Sequence, residues 1–438
     1  MDKTIKKLEI TDLTEDGKGV AKKDNIVYFI ENATIGEIVD AKIIKEKKNF
    51  VEAIKIDSVI KSPYYINPTC TYFYNCDGCN TMDIEYEKEL ELKVQMVKNK
   101  LQRIGKIEIS DLKIIKSKNR INFRNKIELK VDELGNVGYY LSRSHRLTPI
   151  NSCVITGINT NNLIPTLKTH IKELSLKGYD RKTKKGQIKN ISIRENKIGE
   201  LQLTVTVNEY DRQIEELLSK LKDFENLIEI HYSINKDKNT ELMKETKLFY
   251  RRKEYTDTIG NVKFKISPRS FFQVNREMTK KLYDEAVRQM HLNGDEVILD
   301  LYCGIGSTTL YFAQFAKEVI GVEIVKDAIE DAIKNKELNH MTNVKFELGK
   351  SEDLVSKYLN KVDILVVDPP RKGLDKKLIE EVSKSTIKKI MYISCNPGTL
   401  ARDVAYLKDF GFTTEEVKLV DMFSNTMHVE TVVLMSRK

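Results

Sequence analysis

From residue 295 onward, short apolar runs alternate with stretches that have the apolar spacing of a helix. This alternation is typical of parallel strands joined by helical crossovers, and it predicts an α/β fold for this part of the chain. The apolar runs at 296–302, 362–367 and 389–393 are each followed directly by glycine-rich or polar residues. Because ligands bind beyond the carboxyl ends of parallel strands, these residues are the first candidates for a functional site.

The rest of the chain has a different organisation. The 438 residues are too many for one ordinary core, so several domains are expected. Residues 1–60 contain short β-like runs separated by turn residues, which predicts a small closed barrel. Residues 61–265 form a mixed α+β central segment, with an amphipathic helix at 86–104 and a half-buried strand at 201–207. Residues 266–438 form the α/β domain.

The formal net charge is +9, and the basic excess lies in the central segment, whereas both flanking segments are nearly neutral. A local basic surface indicates a polyanion such as RNA as the partner. The candidate phosphate and stacking contacts are Arg120, Phe123, Arg124, Lys126, Tyr139, Tyr140, Arg143 and Arg146. The basic run 181–185 is a further candidate, and the alternative interpretation of this run is a solvated loop. No apolar run is long enough to cross a bilayer, and no apolar segment follows the first residues, so we expect no membrane association and a cytoplasmic protein.

The first strand end carries a glycine turn, Cys-Gly-Ile-Gly-Ser at 303–307, and the next apolar run ends in Glu323. Glycines allow a ligand to approach the backbone, and an acid at the end of the next strand can accept hydrogen bonds from ribose hydroxyls. The third glycine of a dinucleotide fingerprint is replaced by Thr309, which disfavours a nicotinamide enzyme. The arrangement is more typical of a fold that binds S-adenosylmethionine.

The later strand ends bear an Asp-Pro-Pro-Arg run at 368–371 and Cys395. Asp-Pro-Pro followed by an aromatic residue is typical of adenine amino methyltransferases, but Arg371 stands in the aromatic position. Cys395 provides a potential thiolate nucleophile at the edge of the sheet. The alternative interpretation is a buried structural cysteine.

Three further cysteines form a C-x5-C-x2-C group, and a fourth lies well downstream; the set is Cys70, Cys76, Cys79 and Cys153. Four thiolates suit either a tetrahedral zinc ion or an iron–sulfur cluster. The second C-x2-C pair of a zinc ribbon is absent from the sequence.

Taken together, these motifs resemble those of the RNA 5-methyluridine methyltransferases. The resemblance is carried by five segments: 271–275, 300–304, 368–371, 394–403 (Ser-Cys-Asn-Pro-Gly-Thr-Leu-Ala-Arg-Asp) and 421–430 (Asp-Met-Phe-Ser-Asn-Thr-Met-His-Val-Glu). The N-terminal segment resembles the OB-like TRAM barrel that many members carry. The resemblance therefore implies a C-terminal Rossmann-like methyltransferase domain, and it is greatest to bacterial 23S ribosomal RNA uracil-C5 methyltransferases.

The resemblance also implies roles for individual residues. Cys395 is expected to be the nucleophile and Glu430 the base. The expected cofactor-binding residues are Gln273, Tyr302, Gly304, Gly306, Ser307, Glu323 and Asp368. Members with this cysteine pattern hold a [4Fe–4S] cluster, so Cys70, Cys76, Cys79 and Cys153 are expected to ligate one with a structural role. The family pattern is altered at Ser424-Asn425, where many members have Pro-His, and at Met82-Asp83, where many have Gln-His.

The expected function is transfer of a methyl group from S-adenosylmethionine to carbon 5 of a uridine in 23S ribosomal RNA or its precursor. A base inside a helix is out of reach, so a flipped or looped-out uridine is expected. The alternatives are the same reaction on transfer RNA and a non-catalytic RNA-binding assembly factor. We expect a monomer without an obligate protein partner.

Overall fold

The computed structural model of the protein describes residues 3–141 and 146–438. The first sheet has six strands: β1 (Thr4–Glu9), β2 (Asp12–Leu13), β3 (Gly19–Lys23), β4 (Ile26–Glu31), β5 (Ile38–Glu46) and β6 (Phe50–Ile60). The strand order is β1-β5-β6-β4-β3-β2, and the sheet curls around an apolar cluster that includes Leu8, Ile30 and Val39. The N-terminal β domain predicted for this segment is confirmed, and the closure of its sheet into a barrel stays a prediction.

The central segment contains a second sheet of seven strands, in the order β10-β9-β8-β11-β12-β13-β14. The elements of this segment are α1 (Tyr86–Arg103), β7 (Lys113–Ile115), β8 (Lys126–Val131), β9 (Val137–Tyr140), β10 (Leu147–Pro149), α2 (Ile158–Glu173), β11 (Ile188–Glu195), β12 (Leu201–Val207), α3 (Arg212–Leu221), β13 (Leu227–Ile234) and β14 (Thr246–Arg251). Helices α2 and α3 bury leucines such as Leu163 and Leu217 against the apolar side chains of the sheet.

Strand β12 corrects one expectation. Its apolar and polar alternation predicted a half-buried strand, but all of its residues are buried. The polar face is covered as well, because Gln202 Nε2 donates to Glu229 Oε2 (3.0 Å) and to the carbonyl of Ile266 (3.0 Å). The side-chain amide of Gln202 thus finds its acceptors inside the protein, and local alternation does not reveal such partners.

The C-terminal half forms a third sheet of eight strands, in the order β19-β18-β17-β20-β21-β23-β22-β7. Its elements, with the hairpin that precedes them, are β15 (Thr256–Ile259), β16 (Val262–Lys265), α4 (Arg276–Met290), β17 (Val297–Leu301), α5 (Ser307–Phe312), β18 (Glu318–Glu323), α6 (Lys326–Leu338), β19 (Val344–Leu348), α7 (Ser351–Tyr358), β20 (Ile364–Val367), α8 (Lys376–Lys384), β21 (Lys389–Ser394), α9 (Pro397–Asp409), β22 (Thr413–Val420) and β23 (Glu430–Ser436). Strands β17 to β21 are parallel, and β23 is antiparallel to both of its neighbours. The predicted α/β domain is confirmed.

Two elements of the central segment belong structurally to this third sheet. Helix α1 places Val97 and Leu101 in its core and packs against α9. Strand β7 pairs in parallel with β22 and extends the sheet by one strand. The boundaries at residues 60 and 265 stay a prediction. Across the part of the chain that the structure describes, every helix is too short or too polar to cross a membrane.

Candidate active site

The strand register of the third sheet brings the candidate residues to one edge. Leu301 of β17 pairs with Val322 of β18 and with Val367 of β20, and Ser394 of β21 pairs with Thr431 of β23. Five candidate residues lie at a strand end or directly after one at this edge: Tyr302, Glu323, Asp368, Cys395 and Glu430. Because β23 runs antiparallel to β21, Glu430, the first residue of β23, lies opposite Cys395, the residue that follows β21.

The glycine turn between β17 and α5 leaves room for a ligand. The amide of Gly304 donates to Glu323 Oε2 (3.1 Å), which ties the turn to the end of β18. Gly304 (φ +55°) faces open space, whereas a Cβ on Gly306 (φ +82°) would lie 2.7 Å from the ring of Phe346. The two glycines therefore have different functions: Gly306 allows close packing inside the domain, and Gly304 borders a free volume.

A buried carboxyl lies beneath this turn. Asp300 Oδ2 accepts hydrogen bonds from the hydroxyls of Thr308 (2.6 Å) and Thr309 (2.5 Å), and burial raises the pKa of Asp300 to about 6. Among the residues described, no donor reaches Asp300 Oδ1, although this atom is buried. On the far side of the turn, Tyr283 donates to Ser307 Oγ (3.2 Å). An unpaired carboxylate oxygen and an open glycine fit a polar cofactor bound at this turn.

Three acidic groups interact at the strand edge. Burial, with Asp368 nearby, raises the pKa of Glu430 to about 8, and burial, with Asp300 nearby, raises the pKa of Asp368 to about 7. Burial, with Glu430 and Asp368 nearby, raises the pKa of the Cys395 thiol to about 11. Arg371 opposes the shifts of both Glu430 and Cys395. A carboxyl that titrates near neutral pH, beside a half-buried thiol, is suited to proton transfer and nucleophilic addition.

The loop after Cys395 is held to the loop that carries Arg371. Asn396 caps α9 by accepting from the amides of Gly398 (2.9 Å) and Thr399 (3.3 Å). Its side-chain amide donates to the carbonyl of Arg371 (3.2 Å), and the hydroxyl of Thr399 donates to the same carbonyl (3.2 Å). Sequence reasoning assigned no role to Arg371, although a cation directly after Asp-Pro-Pro was a visible signal.

The other predicted residues have mixed outcomes. Gln273 is buried in the loop before α4, and its carbonyl accepts from Asn125 Nδ2 (2.9 Å); its contact with a cofactor stays a prediction. Arg120 pairs with Glu89 Oε2 (2.9 Å) inside the protein, which is a structural contact. Arg143 lies outside the described residues.

The four predicted ligand cysteines line one cavity of about 510 Å³, together with Phe73, Arg124 and Tyr139. The sequence separation of Cys153 from the other three is thus bridged by the fold. All four are free thiols, and burial raises the pKa of Cys76 to about 11. A cysteine-ligated cluster is not shown: within residues 3–141 and 146–438, no group of three or more His, Cys, Asp or Glu side chains is arranged to hold a metal ion.

The sheet order, the open glycine turn and the strand-edge residues define a methyltransferase with a Rossmann-like domain and an added β domain. Residues 4–56 match the model of the TRAM domain, and residues 85–438 match the family model described as tRNA (Uracil-5-)-methyltransferase. The chain belongs to this family, and it is an enzyme that methylates RNA at carbon 5 of uracil.

Relatives match over nearly the whole chain. An RNA methyltransferase of Clostridium tetani is 38% identical, with 98% of this chain and 95% of that protein covered. An RNA methyltransferase of Caldanaerobacter subterraneus subsp. tengcongensis is also 38% identical, over 98% of this chain and 97% of that protein. Among solved structures, the tRNA (uracil-54, C5)-methyltransferase of Pyrococcus abyssi, in complex with S-adenosyl-L-homocysteine, has a TM-score of 0.79 and 25% identity, over 98% of this chain and 100% of that chain.

Proposed function

We propose that this enzyme transfers a methyl group from S-adenosylmethionine to carbon 5 of a specific uridine through a covalent bond between Cys395 and the base. The single observation that carries this mechanism is the register of β21 and β23. Cys395 and Glu430 are the next residues beyond the pair Ser394 and Thr431, and Glu430 contributes to the raised pKa of Cys395. A nucleophile and a base on adjacent strands are within reach of the two neighbouring carbons of one uracil ring.

The glycine turn is the proposed cofactor site. S-adenosylmethionine supplies an electrophilic methyl group when it is bound. Gly304 borders the open volume, Asp300 Oδ1 offers a buried acceptor, and Glu323 lies at the next strand end, where ribose hydroxyls would be recognised. The Pyrococcus abyssi relative is in complex with S-adenosyl-L-homocysteine, which supports S-adenosylmethionine as the cofactor. The roles of Gln273, Tyr302, Gly306, Ser307 and Asp368 around it are part of the same proposal.

The proposed steps balance in atoms and charge. The thiolate of Cys395 adds to carbon 6 of uracil, and the electron pair of the 5,6 double bond becomes available at carbon 5. Carbon 5 then forms a bond to the methyl group as the sulfonium carbon–sulfur bond breaks. Glu430 takes the proton from carbon 5, the double bond re-forms, and Cys395 leaves as the thiolate. Arg371 favours the charged forms of both Cys395 and Glu430.

We also propose a [4Fe–4S] cluster ligated by Cys70, Cys76, Cys79 and Cys153. The support is that four free thiols from two distant chain segments line one cavity. Methyl transfer moves no net electrons, so the proposed role is structural. Protein purified without oxygen should be brown and should contain about four irons per chain. A colourless protein with one zinc ion would overturn the assignment.

The proposed substrate is 23S ribosomal RNA or its precursor, as the resemblance to bacterial large-subunit enzymes implies, with the enzyme acting as a cytoplasmic monomer. Transfer RNA is the second candidate, and a specific observation favours it. The solved structure that covers 98% of this chain belongs to an enzyme named for transfer RNA, so an N-terminal β domain does not distinguish the two substrates.

The test compares unmodified 23S ribosomal RNA with unmodified transfer RNA, using labelled S-adenosylmethionine and mass-spectrometric mapping. Wild-type enzyme should methylate carbon 5 of a uridine in 23S ribosomal RNA, and Cys395→Ala should not. Glu430→Gln should accumulate a denaturant-resistant RNA–protein adduct, because elimination requires removal of the carbon 5 proton.

Glu415→Gln is the matched control, since Glu415 is an exposed carboxylate on β22 and its loss should leave methylation and adduct turnover intact. Methylation of transfer RNA alone would keep the chemistry and overturn the substrate. Methylation by Cys395→Ala at the wild-type rate would overturn the covalent mechanism.

A further inference from the structure

A buried ionic cluster lies where helix α1 meets the loop 421–429. Lys93, Glu89 and Asp421 have fully buried side chains. Lys93 Nζ lies 2.7 Å from Glu89 Oε1 and 2.5 Å from Asp421 Oδ1, and Arg120 pairs with Glu89 Oε2 at 2.9 Å. Two cations therefore balance two carboxylates inside the protein.

The contacts of this cluster fix the backbone of the loop. Lys93 Nζ donates to the carbonyl of Phe423 (3.3 Å), and the amide of Asn425 donates to Glu89 Oε1 (3.0 Å). The hydroxyl of Ser424 donates to Asp421 Oδ2 (2.5 Å). Three consecutive residues, 423–425, are thus bound to the charges of one cluster.

A second anchor holds the same loop from the other side. The carbonyl of Asn425 accepts from the amides of Asn80 (2.9 Å) and Thr81 (3.1 Å). The side-chain oxygen of Asn80 accepts from the amide of Met427 (3.0 Å). The loop is held at both anchors and then enters β23 directly at Glu430.

A buried ion pair is a poor means of adding stability, because desolvation of the charges offsets much of their attraction. Its strength is geometric: a buried charge that loses its partner is costly, so the partners are held in one arrangement. Here that arrangement determines the position of Glu430, the first residue of β23, which follows the loop directly. Ser424 and Asn425, which depart from the Pro-His of many family members, are both buried in these contacts.

We propose that Lys93 is a positioning residue that fixes the carboxyl of Glu430 relative to Cys395 through the loop 421–429. This inference rests on the proposed function, because it concerns the step in which Glu430 removes the carbon 5 proton. Loss of Lys93 should therefore slow elimination more than it affects cofactor binding or formation of the covalent adduct. A purely stabilising role would lower the amount of folded enzyme without changing how the adduct partitions.

The test uses the double variant Glu89→Gln/Lys93→Met in the full-length enzyme, which removes one charge of each sign. The matched control is Lys376→Met/Glu380→Gln, which removes an ion pair of 3.8 Å with the same i,i+4 spacing on the exposed face of α8. Asn80→Ala is a second variant that weakens the other anchor without removing a charge. Each is measured for thermal unfolding, S-adenosylmethionine affinity, kcat, KM and the fraction of enzyme in adduct.

For the double variant we expect kcat to fall at least about tenfold, since a displacement of about 1 Å costs roughly 100-fold in rate. The fraction of enzyme in adduct should rise, because elimination is the step that is slowed. The affinity for S-adenosylmethionine should change by less than about twofold, because cofactor binding precedes that step. The control should match the wild type in all of these measurements. Asn80→Ala should show the same pattern more weakly, and it decides the matter if the double variant does not fold.

Folded variants with wild-type kcat and adduct fraction would overturn the positioning role. Absence of any Cys395-dependent adduct in the wild-type enzyme would instead overturn the proposed function.

Discussion

Arg371 is the cation that opposes the effect of burial at both proposed reacting groups. Arg371 lowers the pKa of Cys395 and of Glu430, but burial and the neighbouring carboxyls still raise these pKa values to about 11 and about 8. Asn396 and Thr399 donate hydrogen bonds to the backbone carbonyl of Arg371. The guanidinium of Arg371 is the group that acts on the charges of Cys395 and Glu430.

The first prediction concerns this guanidinium. Glu430 accepts a proton only when ionised, and Cys395 adds to the base only as the thiolate, so the rate of the wild-type enzyme should rise with pH through about 8 and continue to rise towards about 11. Arg371→Gln removes the positive charge, which raises both pKa values further and should move the midpoint of the pH–rate profile to higher pH. Single-turnover rates between pH 6 and about 10 measure the shift.

Lys372→Gln is the matched control, because Lys372 is the exposed neighbouring cation. Equal midpoints for Arg371→Gln and wild type would count against the role of Arg371.

The second prediction concerns Asp368, whose pKa burial raises to about 7. A carboxyl with a raised pKa stabilises the fold while protonated, and that stability is lost as pH rises from the unfolded value near 4 through about 7. Asp368→Asn cannot ionise, so it should be more stable than wild type at pH 8 by an amount on the order of a few kcal/mol, and nearly equal at pH 4.

Thermal midpoints of the cofactor-free enzyme at the two pH values test this. Asp409→Asn, at an exposed position of α9, should show no such pH-dependent gain. If both variants gained the same stability at pH 8, the burial of Asp368 would not explain the gain.

At the residue scale, the motifs predict roles for Cys395 and Glu430 because their neighbours repeat a known pattern. Lys93 escaped notice, since a lysine in an amphipathic helix is expected at the surface. Its burial depends on Asp421, a residue more than three hundred positions away. Side chains whose role depends on such remote partners are the ones that a sequence pattern does not reveal.

At the scale of elements, Gly304 and Gly306 have different functions in the turn between β17 and α5: Gly304 borders a free volume, and Gly306 allows close packing. The third prediction uses this contrast. Gly306→Ala places a Cβ 2.7 Å from the ring of Phe346, so it should lower the unfolding temperature markedly. Gly304→Ala meets nothing within 4 Å, so it should cost only the left-handed backbone strain, about 1–2 kcal/mol, but it should weaken S-adenosylmethionine binding.

Calorimetric titration and thermal unfolding of both variants distinguish the two effects. Gly411→Ala is the control, because it has a similar backbone angle (φ +85°) and open space at a site after α9. Unchanged cofactor affinity in Gly304→Ala would show that the open volume is not the cofactor site.

Elements with local signals could be predicted, and those that depend on distant pairing could not. Helix α1 ends within a residue of its predicted bound. Strand β7 has three residues, and it exists because it pairs with β22 across the chain. Strand β12 was found by its alternation, but its burial was misjudged because the side-chain amide of Gln202 donates to Glu229 inside the protein.

At the scale of the whole molecule, the central sheet presents a second cavity of about 300 Å³ beside the cysteine cavity, and its four cations outnumber its two carboxylates, Glu128 and Glu241. Lys126 and Arg269 line both cavities, and Arg181 lines the second. The basic run 181–185 is exposed at this end of the segment. Together they offer a path for an RNA backbone between the cysteine cavity and solvent.

The fourth prediction follows from this distribution of charge. RNA affinity should fall steeply with salt, because binding to phosphates releases counterions. Lys182→Gln/Lys185→Gln should weaken binding and reduce the slope of log affinity against log salt by roughly one per lost phosphate contact. Lys326→Gln/Lys376→Gln, which removes two exposed lysines from the nearly neutral C-terminal half, should leave the slope unchanged. A slope that is flat in the wild type would contradict phosphate binding by this segment.

Strand β23 is inserted between β21 and β22, both of which precede it in the chain, and it begins at Glu430. While the ribosome makes the protein, the cofactor turn and Cys395 emerge first, and β21 waits with one unpaired side until β23 is released. Domains fold as units during synthesis. The sheet therefore stays incomplete until β23 is released, and the proposed nucleophile and the proposed base are brought together only when the gap between β21 and β22 closes.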